Sequence, residues 1–134
     1  GNIQRLRLIF RRLVSSSVLF SGICVVIAFA APLFVSKWTN GRIHVTVQEC
    51  SIVALLFSTQ SFAYAGAVFM NAFEKIRPQI FIAVSSAVAM VPLAALFFSM
   101  GFGITSVPVS ALIVFAFAAV VCTCYCLQIL RGNF

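Results

Sequence analysis

The chain has 134 residues, a formal net charge of +7, 63% hydrophobic residues and only 8% charged ones, against roughly 25% charged in ordinary soluble domains. With a mean hydropathy of +1.15, this composition excludes a soluble globular domain and points to an all-α integral membrane protein. The net charge does not indicate nucleic acid, because the basic residues flank apolar runs and no aromatic–basic surface is interleaved for base stacking.

Uncharged runs cover 13–36, 50–73 and 78–130. A span needs about 20 apolar residues, so the last run is too long for one crossing, and Gly101-Phe102-Gly103 breaks it near its middle. Four transmembrane helices are expected, at about 13–34, 50–73, 80–98 and 108–130. Ahead of the first, Arg5, Arg7, Arg11 and Arg12 alternate with Ile, Leu and Phe. This is an amphipathic lead-in whose guanidinium groups reach lipid phosphates or simply anchor the topology. Ser15, Ser16, Ser17 and the Ser21-Gly22 pair suit close helix packing, and Pro32 is expected to bend or end the helix. Trp38 then stands at headgroup depth and Asn40-Gly41 reverses the chain. His44 beyond it reads as a solvated loop residue or as a proton-linked group.

The second helix organises the rest. At 100° per residue, Glu49, Gln60, Tyr64, Asn71 and Glu74 share one arc of about 80°. On roughly the opposite side, Ser51, Ala54, Ser58, Ser61 and Ala65 form a seam of small residues that lets a neighbouring helix approach closely. The polar arc reads either as the lining of a cavity or as hydrogen-bonding glue between helices. Glu49, at the outer mouth, is an ion-coupling candidate if a neighbour desolvates it; its plainer role is an N-terminal charge that favours the helix dipole.

Asn71 to Gln79 form an inner turn in which Pro78 biases Arg77 away from helix. In the third span Pro92 deprives the Val88 carbonyl of its helical partner, so a kink is expected. Pro108 falls in the first turn of the fourth span, where a missing N–H costs little. Arg5, Arg7, Arg11, Arg12, Lys75, Arg77 and Arg131 collect on one side of the membrane, with only Lys37 and Arg42 on the other. Both ends of the segment are therefore expected in the cytoplasm. Cys24, Cys50, Cys122, Cys124 and Cys126 read as apolar filler. The last three, two residues apart, point in alternating directions on a helix and do not converge on a metal. There is no phosphate-binding loop, no Ser/His/Asp set and no pair of carboxylates on one helix turn, so neither an enzyme nor a cofactor is expected. The opening at Gly1-Asn2, with no initiator Met and no small-residue cleavage site after the first run, reads as the start of a piece of something longer rather than as a secretory signal.

Four stretches together carry a family resemblance: the basic lead-in Arg5 to Arg12, the outer turn from Phe34 to Gly41, the inner turn Asn71-Ala72-Phe73-Glu74-Lys75-Ile76-Arg77-Pro78-Gln79, and the tail Gln128-Ile129-Leu130-Arg131-Gly132-Asn133. In their order they resemble the C-terminal four-helix part of O-antigen flippases, in the multidrug/oligosaccharidyl-lipid/polysaccharide (MATE-like) superfamily. The inner turn is similar to an Asn-Gly-x-Gly-Lys-Ile-x-x-Gln-like run of that family, but it lacks both glycines and carries Glu74 and Pro78. The resemblance implies a transporter of about twelve spans in two bundles, in the bacterial cytoplasmic (inner) membrane. This chain would supply the ninth to twelfth spans, with the rest of the same transporter chain as its partner. It also implies alternating access for undecaprenyl-diphosphate-linked oligosaccharide. On that reading Gln60, Tyr64 and Asn71 hydrogen-bond sugar while Lys75 and Arg77 attract the diphosphate. The alternatives are a small four-helix dimeric multidrug-type carrier, which would want a carboxylate in its first span, and a non-transporting membrane assembly subunit.

Overall fold

The computed structural model describes residues 2–74 and 76–131, 91% of the chain being helical with no strand among them. Four α-helices follow in order: α1 (Asn2–Trp38), α2 (Val47–Asn71), α3 (Ile76–Phe97) and α4 (Ser106–Arg131). Three helical stretches are long and apolar enough to cross a membrane: Gln4–Trp38, Val47–Asn71 and Ile76–Leu130. The third is interrupted between α3 and α4 by a π-turn over Phe98–Phe102 and a 3-10 turn over Gly103–Thr105.

The basic lead-in and the first span are one helix of 37 residues. Pro32 lies inside it and does not end it, which corrects that half of the expectation. A proline removes one helical hydrogen bond, whereas ending the helix at that point would expose a whole turn of carbonyls. Termination comes six residues later in a motif made for it. Asn40 and Gly41 take φ of 52° and 75°, while the Gly41 N–H donates to the Ser36 carbonyl at 2.8 Å and the Asn40 N–H to that of Lys37 at 3.3 Å. This left-handed exit satisfies the last carbonyls, and it is the reversal read from Asn40-Gly41.

α2 starts with a capping box. Thr46 Oγ1 accepts from the Glu49 N–H at 3.2 Å, and Glu49 Oε2 accepts from the Thr46 N–H at 2.8 Å, so two orphan donors are satisfied reciprocally. The helix ends at Asn71, and Glu74 lies in the following turn with φ of 56°. Glu74 therefore leaves the polar arc, which had assumed a helix running past it. α3 begins at Ile76, so Arg77 is helical. That corrects the expectation set by Pro78, which stands in the first turn, where its absent N–H would have had no acceptor. Pro92 is likewise carried inside α3. The reversal between α3 and α4 uses Gly101 and Gly103, at φ of 91° and 55°, with the Phe97 and Phe102 rings edge to face at 5.2 Å.

The helices pack in the order α1, α2, α4, α3. α1 and α2 are antiparallel: Phe10 meets Phe69, Ser17 meets Ser61, and Cys24 and Ala28 cluster with Ala54 and Cys50. Ala54 and Ser61 belong to the small-residue seam, which is thus the face that α1 covers. α2 and α4 run parallel, with Gly66 against Cys122, and Met70 and Cys126 buried in one cluster. α3 returns along α4, bringing Ile82, Ala83 and Ser86 beside Phe115, Ala118 and Cys122. A Cβ built on Gly66 would lie 2.7 Å from that of Cys122, so only glycine permits this approach of α2 to α4. Cys122 and Cys126 are buried on that seam and Cys124 is exposed on the other side, the alternation expected of the three cysteines.

Candidate functional site

Two faces of α2 are occupied, one by α1 and one by α4, and the polar side chains lie on what remains. Gln60 Nε2 donates to the Tyr64 hydroxyl at 2.9 Å, a pair one helical turn apart on the same face. Tyr64 is 57% exposed. The pair borders one groove, and Tyr64 borders a second. One, of about 260 Å³, is formed with Phe20, Phe57 and Ser61. The other, of about 360 Å³, lies between α2, α3 and α4, where Tyr64 shares the wall with Gln79 and Ser86. Among the described residues the Gln60 carbonyl oxygen has no partner, so the pair retains an acceptor, and the Tyr64 O–H remains a donor.

The other residues singled out from the sequence are spread along the molecule. Asn71 is exposed as the last residue of α2, about 10 Å along the axis from Tyr64. Arg77 is exposed in the first turn of α3. Lys75, and Gly132 and Asn133 of the tail, lie outside the described residues. Glu49 is about 16 Å from Gln60 at the opposite end of the helix, its carboxylate engaged by the Thr46 N–H and hydroxyl at 2.8 and 2.9 Å. The structure therefore brings Gln60 and Tyr64 together, keeps Asn71 and Arg77 near the turn between α2 and α3, and places Glu49 apart in a helix cap. His44 is exposed in the segment before α2.

Gln79, which the sequence marks only as the end of the turn after Asn71, also belongs to this site. Its Nε2 donates to the Ala67 carbonyl at 3.0 Å, tying the start of α3 to α2. The available signal was its spacing: Gln79 and Ser86, seven residues apart, fall on one helical face, and that face meets the groove of Tyr64. Chemically this wall of a phenol, amides and a hydroxyl offers hydrogen-bond donors and acceptors to a polyhydroxylated or amide-bearing partner.

Fold and site together define an all-helical chain with helices long and apolar enough to cross a membrane and a small polar face at mid-helix. Comparison with protein-family models, curated protein sequences and solved structures returns no match to this chain.

Proposed function

We propose that the chain is a four-span module of an alternating-access membrane transporter, similar to the C-terminal part of O-antigen flippases, that moves a lipid-linked oligosaccharide across the bacterial inner membrane. The four-span count is supported by the packing of α3 back along α4. As one straight helix, Ile76–Leu130 with its 55 residues would be about 80 Å long, far beyond a hydrocarbon core of about 30 Å. In this reading α1 and α3 present their outer faces to lipid or to the rest of the transporter, and both ends of the segment lie in the cytoplasm.

The observation that carries the transport reading is the Gln60–Tyr64 pair. A phenol and an amide left uncovered at the middle of an apolar helix are costly in hydrocarbon, so this face borders water, cargo or a further polar helix. Sugar hydroxyls match the Gln60 carbonyl and the Tyr64 O–H, while Asn71 and Arg77 stand where a polar headgroup would arrive from the cytoplasm. Lys75 joins them by its position in the sequence.

The test is surface-glycan complementation by the full-length transporter, scored beside its membrane level. The Gln60→Leu/Tyr64→Phe variant is expected to lose export at normal abundance, since both replacements remove hydrogen-bonding capacity and add no charge. Normal export at normal abundance would remove this face from the cargo path. A parallel fall in abundance and export would make it helix glue.

A further inference from the structure

α1 buries one side on α2. With Ser17, which faces α2, set at zero, Leu8, Arg11, Arg12, Ser15 and Ser16 all lie within about 80° of the opposite direction. These five line a shallow cleft of about 500 Å³. Neither arginine has an ion-pair partner among the described residues. The chain's two carboxylates are elsewhere, Glu49 in its helix cap and Glu74 in the turn after α2. Among the described residues the Ser15 and Ser16 hydroxyls have no partner either, whereas Ser21, Ser58, Thr59 and Ser110 bond back to carbonyls of their own helices. Two guanidinium groups and two hydroxyls thus stand together and unneutralised where the helix passes from basic to apolar.

The same side of α1 continues as an apolar track. Leu19, Val26 and Leu33 are 69%, 69% and 71% exposed, and between the first two Gly22 faces open space. Leu19 and Gly22 lie about 10 and 15 Å along the axis from Arg12, within the roughly 15 Å of one leaflet in a hydrocarbon core about 30 Å thick, and Val26 follows about one turn further on. A polar cleft below an apolar track with a notch in it has the chemistry of a phospholipid.

We propose that this outer face of α1 is a binding site for an anionic phospholipid. Its phosphodiester is held by Arg11 and Arg12 and hydrogen-bonded by Ser15 and Ser16, and one acyl chain lies along Leu19, Gly22 and Val26. Guanidinium groups suit phosphate because their forked N–H groups bind it bidentately. The site uses the side of α1 turned away from Gln60 and Tyr64. The inference rests on the membrane reading, but it is independent of the cargo path.

The experiment is native mass spectrometry of the full-length protein titrated with phosphatidylglycerol, and separately with phosphatidylcholine of the same acyl chains. Selective retention of phosphatidylglycerol is expected. Arg11→Gln/Arg12→Gln should weaken it about thirtyfold, the effect of two basic contacts at a membrane surface. Arg11→Lys/Arg12→Lys keeps the charge that sets topology, yet it should still weaken retention because the fork is lost. Gly22→Phe should weaken it with unchanged thermal stability, since nothing within the protein meets a side chain there. Arg5→Gln/Arg7→Gln should weaken it less than Arg11→Gln/Arg12→Gln does, because these residues lie outside the cleft and act only through longer-range charge. Equal losses from the two arginine pairs, an unaffected lysine variant, or equal retention of phosphatidylcholine would each overturn the site. Displacement of phosphatidylglycerol by an equimolar polyprenyl diphosphate would also overturn it, assigning the cleft to cargo. Loss of this site with export intact leaves the proposed function standing, and the reverse result leaves the lipid site standing.

Discussion

α1 and α2 run side by side and are made of similar residues, yet they meet their surroundings differently. α1 is the more apolar of the two and the less buried. Its buried positions, Ser17, Cys24 and Ala28, form one narrow line against α2, and most of its large side chains beyond Phe10 and Leu13 are exposed. α2 is less apolar, but it is packed on two sides, by α1 along Ala54 and Ser61 and by α4 along Ala63, Gly66 and Met70. In water the ranking would be the reverse. Where the surroundings are as apolar as leucine, burial follows small side chains that let backbones approach, and large apolar residues are left to face lipid.

The largest test of that contrast is at Gly66. Gly66→Leu should destabilise the protein by about 3 kcal/mol, the upper range for overpacking, read from thermal unfolding of the detergent-solubilised protein. Gly66→Ala should cost less, and Cys122→Gly should restore part of the loss, because the side chain in the way is the Cβ of Cys122. A neutral Gly66→Leu would mean that α2 and α4 do not touch at this level.

A smaller effect is expected where α1 meets α2. Ser61 Oγ donates to Ser17 Oγ at 3.1 Å, and Ser17 Oγ donates to the Ser61 carbonyl at 3.3 Å. Ser17→Ala should cost about 1 kcal/mol, as interhelical hydrogen bonds do in membranes. A double-mutant cycle with Ser61→Ala should show coupling of the same order, and additive losses would place the two serines out of contact.

Much of this arrangement was legible in the sequence, and the parts that were not share a cause. The uncharged runs marked the apolar helices, Asn40-Gly41 and Gly101-Phe102-Gly103 marked the reversals, and the seam of Ala54 and Ser61 marked the face that α1 covers. Those signals are local or periodic within one helix. Helix ends were read less well. Pro32 and Pro78 look like breaks, but a proline's cost depends on whether its missing N–H had an acceptor and on what the chain gains by continuing. Gly66 was passed over because its meaning lies in Cys122, 56 positions away and on a helix whose register no periodicity reveals. Gln79 was overlooked for the same reason, since its acceptor is a backbone carbonyl on another helix. The polar arc loses Glu74 because the uncharged run continues to Phe73, whereas α2 ends at Asn71 and the next residues turn.

The smallest expected change in stability belongs to the uncovered face of α2, and it separates the two kinds of polar contact. Gln60 and Tyr64 bond to each other within one helix, so Gln60→Leu removes an i, i+4 pair and no tie to a neighbour. The loss should be a few tenths of a kcal/mol, well below that of Ser17→Ala, although an amide has greater hydrogen-bonding capacity than a hydroxyl. Accessibility should run the other way. In single-cysteine proteins a water-soluble thiol reagent should modify position 60 or 64 faster than 58 or 61, because Ser61 meets Ser17 while Tyr64 faces a groove. Should Gln60→Leu cost as much as Ser17→Ala and position 64 resist the reagent, another helix covers this face in the assembled protein. The pair would then be a seam like the other two, and the groove beside it would not be open to a water-borne glycan.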